Sequence, residues 1–187
     1  MKKSIAHNIF SLQNIYIAVC LLLSGNLLAQ SDGWESVNIK TGDVPSCYSF
    51  NPKFDFKLNN FLRVKVGGNA DIALKLVDYF TDKCIRYVYI SYGSTYEISN
   101  IPEGKYYLKL AFGKDWSINK SNNYCDAKFY DSESYQKGED ILDYFLKRDT
   151  YGTQVPSYEL LLEIRVQKKK KGNIFDSQEI SEEEFLK

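Results

Sequence analysis

The chain contains a single histidine, His7, and its position limits the chemistry that the protein can perform. His7 lies in an N-terminal segment with the pattern of an export signal, so we expect the processed chain to contain no imidazole. Imidazole is the usual base of Ser-His-Asp and Cys-His sites and a common metal ligand. Without it, those catalytic arrangements and any histidine-ligated metal site are excluded. We therefore expect a non-catalytic protein with no cofactor and no metal ion.

Three cysteines lie outside that segment: Cys47, Cys84 and Cys125. Their spacing is too wide for a zinc site, and without imidazole none is expected to be a reactive thiolate. In an oxidising compartment two of them can form a disulfide. Loop length does not choose the pair, because the Cys47–Cys125 and Cys47–Cys84 loops differ by only about 0.7 kcal/mol in the chain-entropy model. Cys47 and Cys125 follow turn-like dipeptides, whereas Cys84 opens an apolar run, so we favour Cys47–Cys125.

Carboxylates are the remaining groups that could catalyse a reaction. Glycoside hydrolysis needs only two carboxyl groups, one of which acts as an acid. The candidates are spread along the chain: Glu97, Glu103, Asp115, Glu159 and Glu163. Glu159 and Glu163 share one face of a predicted strand about 13 Å apart, which exceeds the separation that either stereochemical course uses. The other acids cannot be paired from the sequence, so a small glycan-active hydrolase is the alternative to a binding protein.

Two further clusters have charges that could suit a ligand. Oxygen donors for Ca²⁺ are clustered at Asp115, Asn119, Asn122, Asn123 and Asp126. They lack a recognised loop spacing, and we interpret them as an Asn/Asp-rich surface loop. The run Lys168–Lys171 could bind an anionic polymer, but the acidic residues that follow can neutralise it. No aromatic residues interleave with the run as they do in single-strand binders, so we expect no nucleic-acid partner.

Aromatic side chains are the better candidates for recognition, because the chain contains 15 tyrosines and two tryptophans. Most of them should line a core or the edges of strands. Tyr107 lies opposite the apolar face of its strand, Tyr92 lies near a turn, and Trp116 lies in a predicted loop, so we expect these three rings to face outward. Tyr and Trp combine a large contact area with a hydrogen-bonding tip. Such rings would suit a protein or glycan partner.

Nearly every periodic segment alternates apolar and polar residues with a period of two, which predicts half-buried strands. Residues 61–66 (FLRVKV) and 71–76 (DIALKL) flank Gly67-Gly68-Asn69, a sequence that favours a tight hairpin turn. We therefore expect these two runs to be adjacent antiparallel strands. The same alternation predicts further strands at residues 84–90, 95–99, 105–112 and 158–167.

Three segments depart from this simple pattern. Residues 113–134 are rich in Asn, Ser, Asp and Lys, and we interpret them as a long loop excursion that contains at most one short strand near 127–130. Residues 140–146 fit either a helical turn or a strand, and we choose a strand because Gly and Pro residues break the chain after them. Ser181, with Glu184 three positions later, predicts a capping box and a short C-terminal helix.

The first 29 residues have the layout of a cleavable export signal. Lys2 and Lys3 supply positive charge, residues 15–23 form an apolar run, and Ala29 provides a small residue at the cleavage point. The run is shorter than the roughly 20 residues that span a membrane, so we expect no stable membrane anchor in the processed chain. Removing residues 1–29 leaves 158 residues with 22 basic and 24 acidic side chains, enough for one near-neutral domain.

The segment TYEISNIPEGKYYLKL resembles the strand, N-[IL]-P-x-G-x-Y-x-L, strand hairpin of carboxypeptidase-regulatory-like and transthyretin-like β-sandwich domains, with the best match over residues 98–110. That resemblance implies a β-sandwich. TGDVPSC, KCIRYVYI, IPEGKYYLKLAFGKDW and YQKGEDILDY together resemble a group of uncharacterised exported proteins from Bacteroidota. Cleavage before Gln30 is also similar to that group. This second resemblance implies export and no particular activity.

These patterns predict one all-β domain over residues 30–187. We expect a single antiparallel β-sandwich with a long loop excursion at about 113–134, a short C-terminal helix and a tail at 168–187. The function that fits best is a non-catalytic module, periplasmic or extracellular, that binds or scaffolds a protein or glycan partner at the bacterial envelope. The alternative is the hydrolase. A third hypothesis is an envelope-assembly subunit, which pairing of a sheet edge with a partner would favour.

Overall fold

Two β-sheets packed face to face form the body of the protein. The computed structural model describes residues 33–45, 47, 49–121, 124–164 and 177–187. The predicted export signal and the Lys168–Lys171 run lie outside these residues. Strands dominate the described part of the chain, as the alternating sequence pattern predicts, and the prediction of an all-β sandwich-like fold is confirmed.

The larger sheet is antiparallel and contains seven of the described strands. They are β1 (Trp34–Ser36), β3 (Asp71–Asp78), β4 (Cys84–Ile90), β6 (Lys105–Ser121), β7 (Tyr124–Gly138), β8 (Leu142–Asp143) and β12 (Ser177–Glu179). The main order is β12-β7-β6-β3-β4, and β1 and β8 pair with separate parts of the long strand β6. Strand β6 is therefore the organising element of this sheet.

The smaller sheet contains three strands in the order β11-β2-β5. Their bounds are β2 (Phe61–Gly68), β5 (Thr95–Ser99) and β11 (Tyr158–Ile164). β2 and β5 are antiparallel, but β11 runs parallel to β2, which differs from the purely antiparallel sandwich predicted from the sequence. A parallel pair requires a long connection, and the many residues between β2 and β11 provide it. A separate hairpin joins β9 (Lys147–Asp149) to β10 (Gly152–Gln154).

The main core lies between the two sheets. Val64 and Leu162 from the smaller sheet meet Leu74, Ile90 and Leu110 from the larger sheet, and all five are almost completely buried. At roughly 1.5–3 kcal/mol for each fully buried aliphatic side chain, this layer is the largest apolar contribution to stability. The residues of this layer define the face that each sheet turns toward the other.

A second core covers the outer face of the larger sheet. It is built from rings on the outer face, including Tyr87, Tyr89 and Phe129, around Ala73 and Ala111. The two alanines pair directly across β3 and β6, and their small side chains leave room for the rings. The N-terminal segment packs onto this layer through Val37, Ile39 and Phe50. The larger sheet is therefore buried on both faces.

The C-terminal helix α1 (Glu182–Leu186) also packs on this outer face. Its predicted N-cap is confirmed, because the Ser181 hydroxyl accepts a hydrogen bond from the Glu184 N–H at 3.1 Å. Phe185 is buried against Tyr87 and Tyr135. Within the described residues it is the only α-helix.

The predicted hairpin between residues 61–66 and 71–76 is wrong. β2 lies in the smaller sheet and β3 in the larger one, so the Gly67-Gly68-Asn69 connection crosses between sheets. Gly68 has a φ of 84°, and an added Cβ there would lie 1.7 Å from the Ile164 carbonyl oxygen. The glycines serve this close approach of β11 and not a tight turn. Similarly, β5 and β6 lie in different sheets, so the segment that resembles the family hairpin connects the two layers.

Substitution of Gly68 tests this close approach. We expect Gly68→Ala to lower the free energy of unfolding by about 2–4 kcal/mol, because both the positive φ and the backbone contact disfavour a Cβ. Gly93→Ala is the matched control: Gly93 has a φ of 72°, but an added Cβ meets nothing within 4 Å. Chemical denaturation should show a loss of only about 1 kcal/mol for that variant. Equal losses would contradict the crossing geometry.

The predicted loop excursion at 113–134 is also wrong. The described residues 113–121 and 124–134 form the paired ends of β6 and β7, in register from Lys114 opposite Asp131 to Ser121 opposite Tyr124. Trp116 and Ile118 on β6 and Phe129 on β7 alternate with polar residues and enter the second core. Asn119, Asp126 and Lys128 are among the polar residues at the positions between them. Their composition is typical of a loop, but the alternation of apolar residues decides the structure.

Two other predicted strands are present in the structure over part of the predicted residues. Of residues 140–146, only Leu142–Asp143 pair as a strand, with β6. Tyr144 then enters the main core, and its N–H donates to the Gly104 carbonyl at 2.8 Å. The run that starts at Tyr158 is a strand as predicted, with Leu162 and Ile164 buried, but it lies at the edge of its sheet.

Candidate functional site

A groove opens beside β11, where the edge of the smaller sheet meets the larger one. We call it the edge groove. Its volume is about 340 Å³, and its apolar walls come from both sheets and from the segment before β8: Leu62, Leu108, Ile141, Leu142, Tyr158 and Leu160. Asp140 and Glu159 are the two acidic residues at its border. Apolar walls with a few polar groups are typical of ligand-binding pockets.

Strand β11 supplies one wall of the edge groove through its alternation. Tyr158 and Leu160 point toward the groove and are only half-buried, because the strand has a neighbour on one side alone. Leu161 points to the opposite, outer face and is 56% exposed. Adjacent leucines on one strand therefore have different environments.

Internal hydrogen bonds fix the aromatic wall. The Tyr158 hydroxyl donates to the Asp143 carbonyl at 2.9 Å and accepts from the Asp143 N–H at 3.1 Å. The Tyr158 ring also packs edge-on against the buried ring of Tyr144, with centroids 5.1 Å apart. The Tyr144 hydroxyl donates to the Phe61 carbonyl, and burial raises the pKa of Tyr144, so this donor keeps its proton. The wall is thus ordered in the absence of a ligand, which lowers the entropic cost of binding.

A more polar cavity of about 520 Å³ shares Gly138 and Ile141 with the edge groove. The Tyr107 hydroxyl donates to Asp82 there at 3.0 Å, and Lys137 Nζ lies 4.5 Å from the centre of the Tyr107 ring. Burial and the hydrogen bond to Asp82 raise the pKa of Tyr107, so it remains a neutral phenol at physiological pH. Three polar groups of this cavity, those of Tyr107, Asp82 and Lys137, therefore contact one another.

The three aromatic residues predicted to face a ligand do not form one site. Tyr92 is 62% exposed, but it lies at the turn after β4 and lines neither cavity. Tyr107 and Trp116 are each only 3% exposed, so the prediction that they face outward is wrong. Alternation assigned Tyr107 to the face opposite the main core, whereas Trp116 was predicted to lie in a loop. The second core covers that face of the larger sheet and includes Trp116.

The carboxylates considered for catalysis are dispersed, with one exception. Glu97 and Glu159 both bind Arg63, which lies between them on the outer face of the smaller sheet. The hydrogen bond that Arg63 donates to the Glu97 carboxylate raises the pKa of Arg63. Glu163 lies further along β11 on the same face. Of this set, only Glu159 borders the edge groove, where it is joined by Asp140, which the sequence did not single out.

Two other carboxylates considered for catalysis, Glu103 and Asp115, make structural hydrogen bonds. Glu103 accepts a hydrogen bond from the Leu146 N–H at 3.1 Å, and Asp115 accepts one from the Ser36 hydroxyl. Asn119 faces Asp126 across the β6–β7 ladder, and Asn122 and Asn123 lie outside the described residues. Among the residues that the structure describes, no group of three or more Cys, Asp or Glu side chains could hold a metal ion.

The cysteine pairing agrees with the prediction of a Cys47–Cys125 disulfide. Cys47 and Cys125 form a disulfide with their Cα atoms 5.3 Å apart, which ties the N-terminal segment to β7. Cys84 is free, and its thiol donates to the Arg86 carbonyl at 3.0 Å. Burial raises the pKa of Cys84 to about 11, so this thiol is protonated and unreactive at neutral pH.

Comparison of the chain with protein-family models, with curated proteins and with solved structures finds no match. No helix in the described ranges has the length and apolar character needed to cross a bilayer. The edge groove is therefore interpreted from its own geometry.

Proposed function

We propose that the protein is an exported, non-catalytic β-sandwich module that binds a protein or glycan partner through the edge groove. The observation that carries this proposal is a preformed apolar groove at an open edge of the sandwich. Its volume lies near the lower end of the roughly 300–1,000 Å³ range of ligand pockets. The fixed ring of Tyr158 offers a stacking surface for a sugar or an apolar side chain.

Two observations support the exported location. The first is the sequence pattern of residues 1–29, with its basic start and apolar run. The second is the Cys47–Cys125 disulfide, since disulfides persist mainly in oxidising compartments such as the periplasm and the cell exterior. The resemblance to exported proteins of Bacteroidota points in the same direction.

Neighbouring leucines provide the test of the edge groove. The purified protein is applied to an array of bacterial glycans and to an array of extended peptides, and its strongest ligand is measured by calorimetry. Leu160→Asp places a charge in the groove and is expected to weaken binding by about 30-fold, the effect of losing a central contact. Leu161→Asp adds the same charge on the outer face as a control for folding. If Leu160→Asp binds this ligand as tightly as the wild type, the edge groove is not the site.

One observation favours the alternative of a small glycan-active hydrolase. Asp140 and Glu159 border the same groove, and two carboxylates suffice for glycoside hydrolysis. Against it, the Glu159 carboxylate is engaged by Arg63, which leaves it poorly placed to act on a substrate. The glycan array read for released sugar separates the two functions. Turnover that disappears in Asp140→Asn would replace the binding proposal with the hydrolase.

A further inference from the structure

We infer that the partner is an extended peptide strand with alternating apolar and basic side chains, which adds to the free edge of β11 and places its apolar side chains over the edge groove. This inference rests on the proposed binding function and specifies its ligand. Strand addition to an open sheet edge is a common mode of peptide recognition, in which main-chain hydrogen bonds give affinity and side-chain pockets give specificity.

The free edge of β11 supplies the main-chain groups. The strand is seven residues long and pairs with β2 on one side. Among the described residues, no backbone hydrogen bond reaches its other side. By contrast, the edge strand β4 is covered, because Gly42 N–H donates to the Tyr89 carbonyl and Tyr89 N–H donates to the Asp43 carbonyl, at 2.8 and 2.9 Å. Among the residues that the structure describes, the edge of β4 is thus covered and the edge of β11 beside the groove is not.

The two faces of β11 specify the side chains of the partner. On the inner face, Tyr158 and Leu160 border the edge groove, so a neighbouring strand would place apolar residues there. On the outer face, β11 presents Glu159 and Glu163 on either side of Leu161. Arg63 pairs with Glu159, and no ion pair to Glu163 is found among the described residues. The acidic outer face of β11 therefore favours basic residues on the outer face of a partner.

Strand β2 already pairs with β11 and has this alternation of apolar and basic side chains. It carries Leu62, Val64 and Val66 toward the core and Arg63 and Lys65 on the outer face, in register with β11. A peptide with the sequence of residues 61–66 therefore has the alternation that the opposite edge of β11 would accept. This peptide, FLRVKV, serves as the probe.

A second copy of β11 is a poor occupant of the same edge. Antiparallel pairing of two identical strands centred on Leu161 would set Glu159 of each copy opposite Glu163 of the other. Like charges directly opposite one another destabilise a strand pair, and charged edges are a common protection against such self-pairing. The edge is therefore selective for a strand of opposite charge.

The test measures binding of the FLRVKV peptide to the purified protein by fluorescence anisotropy. We expect binding that weakens at least about tenfold when alternate backbone amides of the peptide are N-methylated on the edge that would pair, since each methyl removes a main-chain donor. Glu163→Lys should weaken binding by about tenfold through charge reversal beside the peptide. Glu97→Lys is the matched control, because Glu97 shares the outer face but lies on β5, beyond β2; we expect it to change affinity less than about twofold.

Three outcomes would overturn the inference: no peptide binding, equal binding of the N-methylated and the unmodified peptide, or equal effects of Glu163→Lys and Glu97→Lys. Concentration-dependent dimers of the wild type that Glu163→Lys strengthens would also overturn it in favour of a second copy. If strand addition fails while Leu160→Asp still abolishes binding of the array ligand, the proposed function stands. If Leu160→Asp has no effect on any ligand, the proposed function itself fails.

Discussion

Replacement of both Cys47 and Cys125 by serine is expected to lower the Tm by roughly 10 °C. The disulfide closes a loop with a sequence separation of 78 residues and joins the N-terminal segment to β7. A disulfide of this kind typically contributes about 2–4 kcal/mol, and each kcal/mol shifts the Tm of a domain this size by about 2–4 °C. Differential scanning calorimetry of the oxidised protein and the double variant measures the change.

The free cysteine provides the control for this result. Cys84→Ser makes the same chemical change at a half-buried site with no covalent partner, and serine can keep the hydrogen bond to the Arg86 carbonyl. We expect a loss of less than about 1 kcal/mol. A double variant no less stable than Cys84→Ser would show that the disulfide does not hold the N-terminal segment over the second core.

Truncation of Phe185 is expected to lower the free energy of unfolding by about 3 kcal/mol. Phe185 is the single buried residue of α1, and its ring packs against Tyr87 and Tyr135 on the outer face of the larger sheet. Phe185→Ala leaves the helix with little apolar contact, so α1 should detach. Leu186→Ala, at the exposed neighbouring position, is the control, and urea denaturation should show a loss of less than about 1 kcal/mol.

Detachment of α1 should also change how stability depends on pH. Lys75 is buried beneath the helix, where its Nζ donates to the Phe185 and Leu186 carbonyls at 2.7 and 3.3 Å. Burial, together with the charge of Lys109, lowers the pKa of Lys75 from 10.5 to about 8, although a thiolate at Cys84 would raise it. The unfolded chain then binds more protons than the folded chain between pH 8 and 10.5, so stability rises with pH in that range.

The increase in stability with pH is clearest below the pH range in which Cys84 titrates. The pKa of Cys84 is raised from 9.0 to about 11, which makes stability fall between those values and offsets Lys75. From pH 7 to pH 9 we expect a net gain of about 1 kcal/mol in the wild type. Phe185→Ala and Lys75→Met should lack this gain. A wild type whose stability is flat or falls over that range would contradict the buried position of Lys75.

The sequence predicts most strands because alternation depends on local contacts. The run from Tyr158 to Ile164 and the capped helix at Ser181 were predictable for that reason. Strand order was not. The Gly67-Gly68-Asn69 sequence satisfies both a tight turn and a close crossing, and only the partner at Ile164 distinguishes them. The 113–134 region shows the opposite error, since its polar composition hid the alternation of Trp116, Ile118 and Phe129.

The candidate site was less predictable than the strands. Alternation showed that Tyr107 lies opposite Leu108, but it could not show that a second layer covers that face. It also predicted the strand at residues 158–167, without showing that β11 lies at a sheet edge where Tyr158 and Leu160 remain half-exposed. Burial of a side chain depends on the layers around it, and those layers form from distant parts of the chain.

Hydrogen–deuterium exchange measured with and without the strongest array ligand tests most directly whether the edge groove is the binding surface. We expect the ligand to slow exchange in residues 158–164 and 138–142, which border the groove. We expect little change at the exposed turn of Tyr92 or in the strands beneath α1. Protection at either of those places, with none along β11, would show that the ligand binds elsewhere.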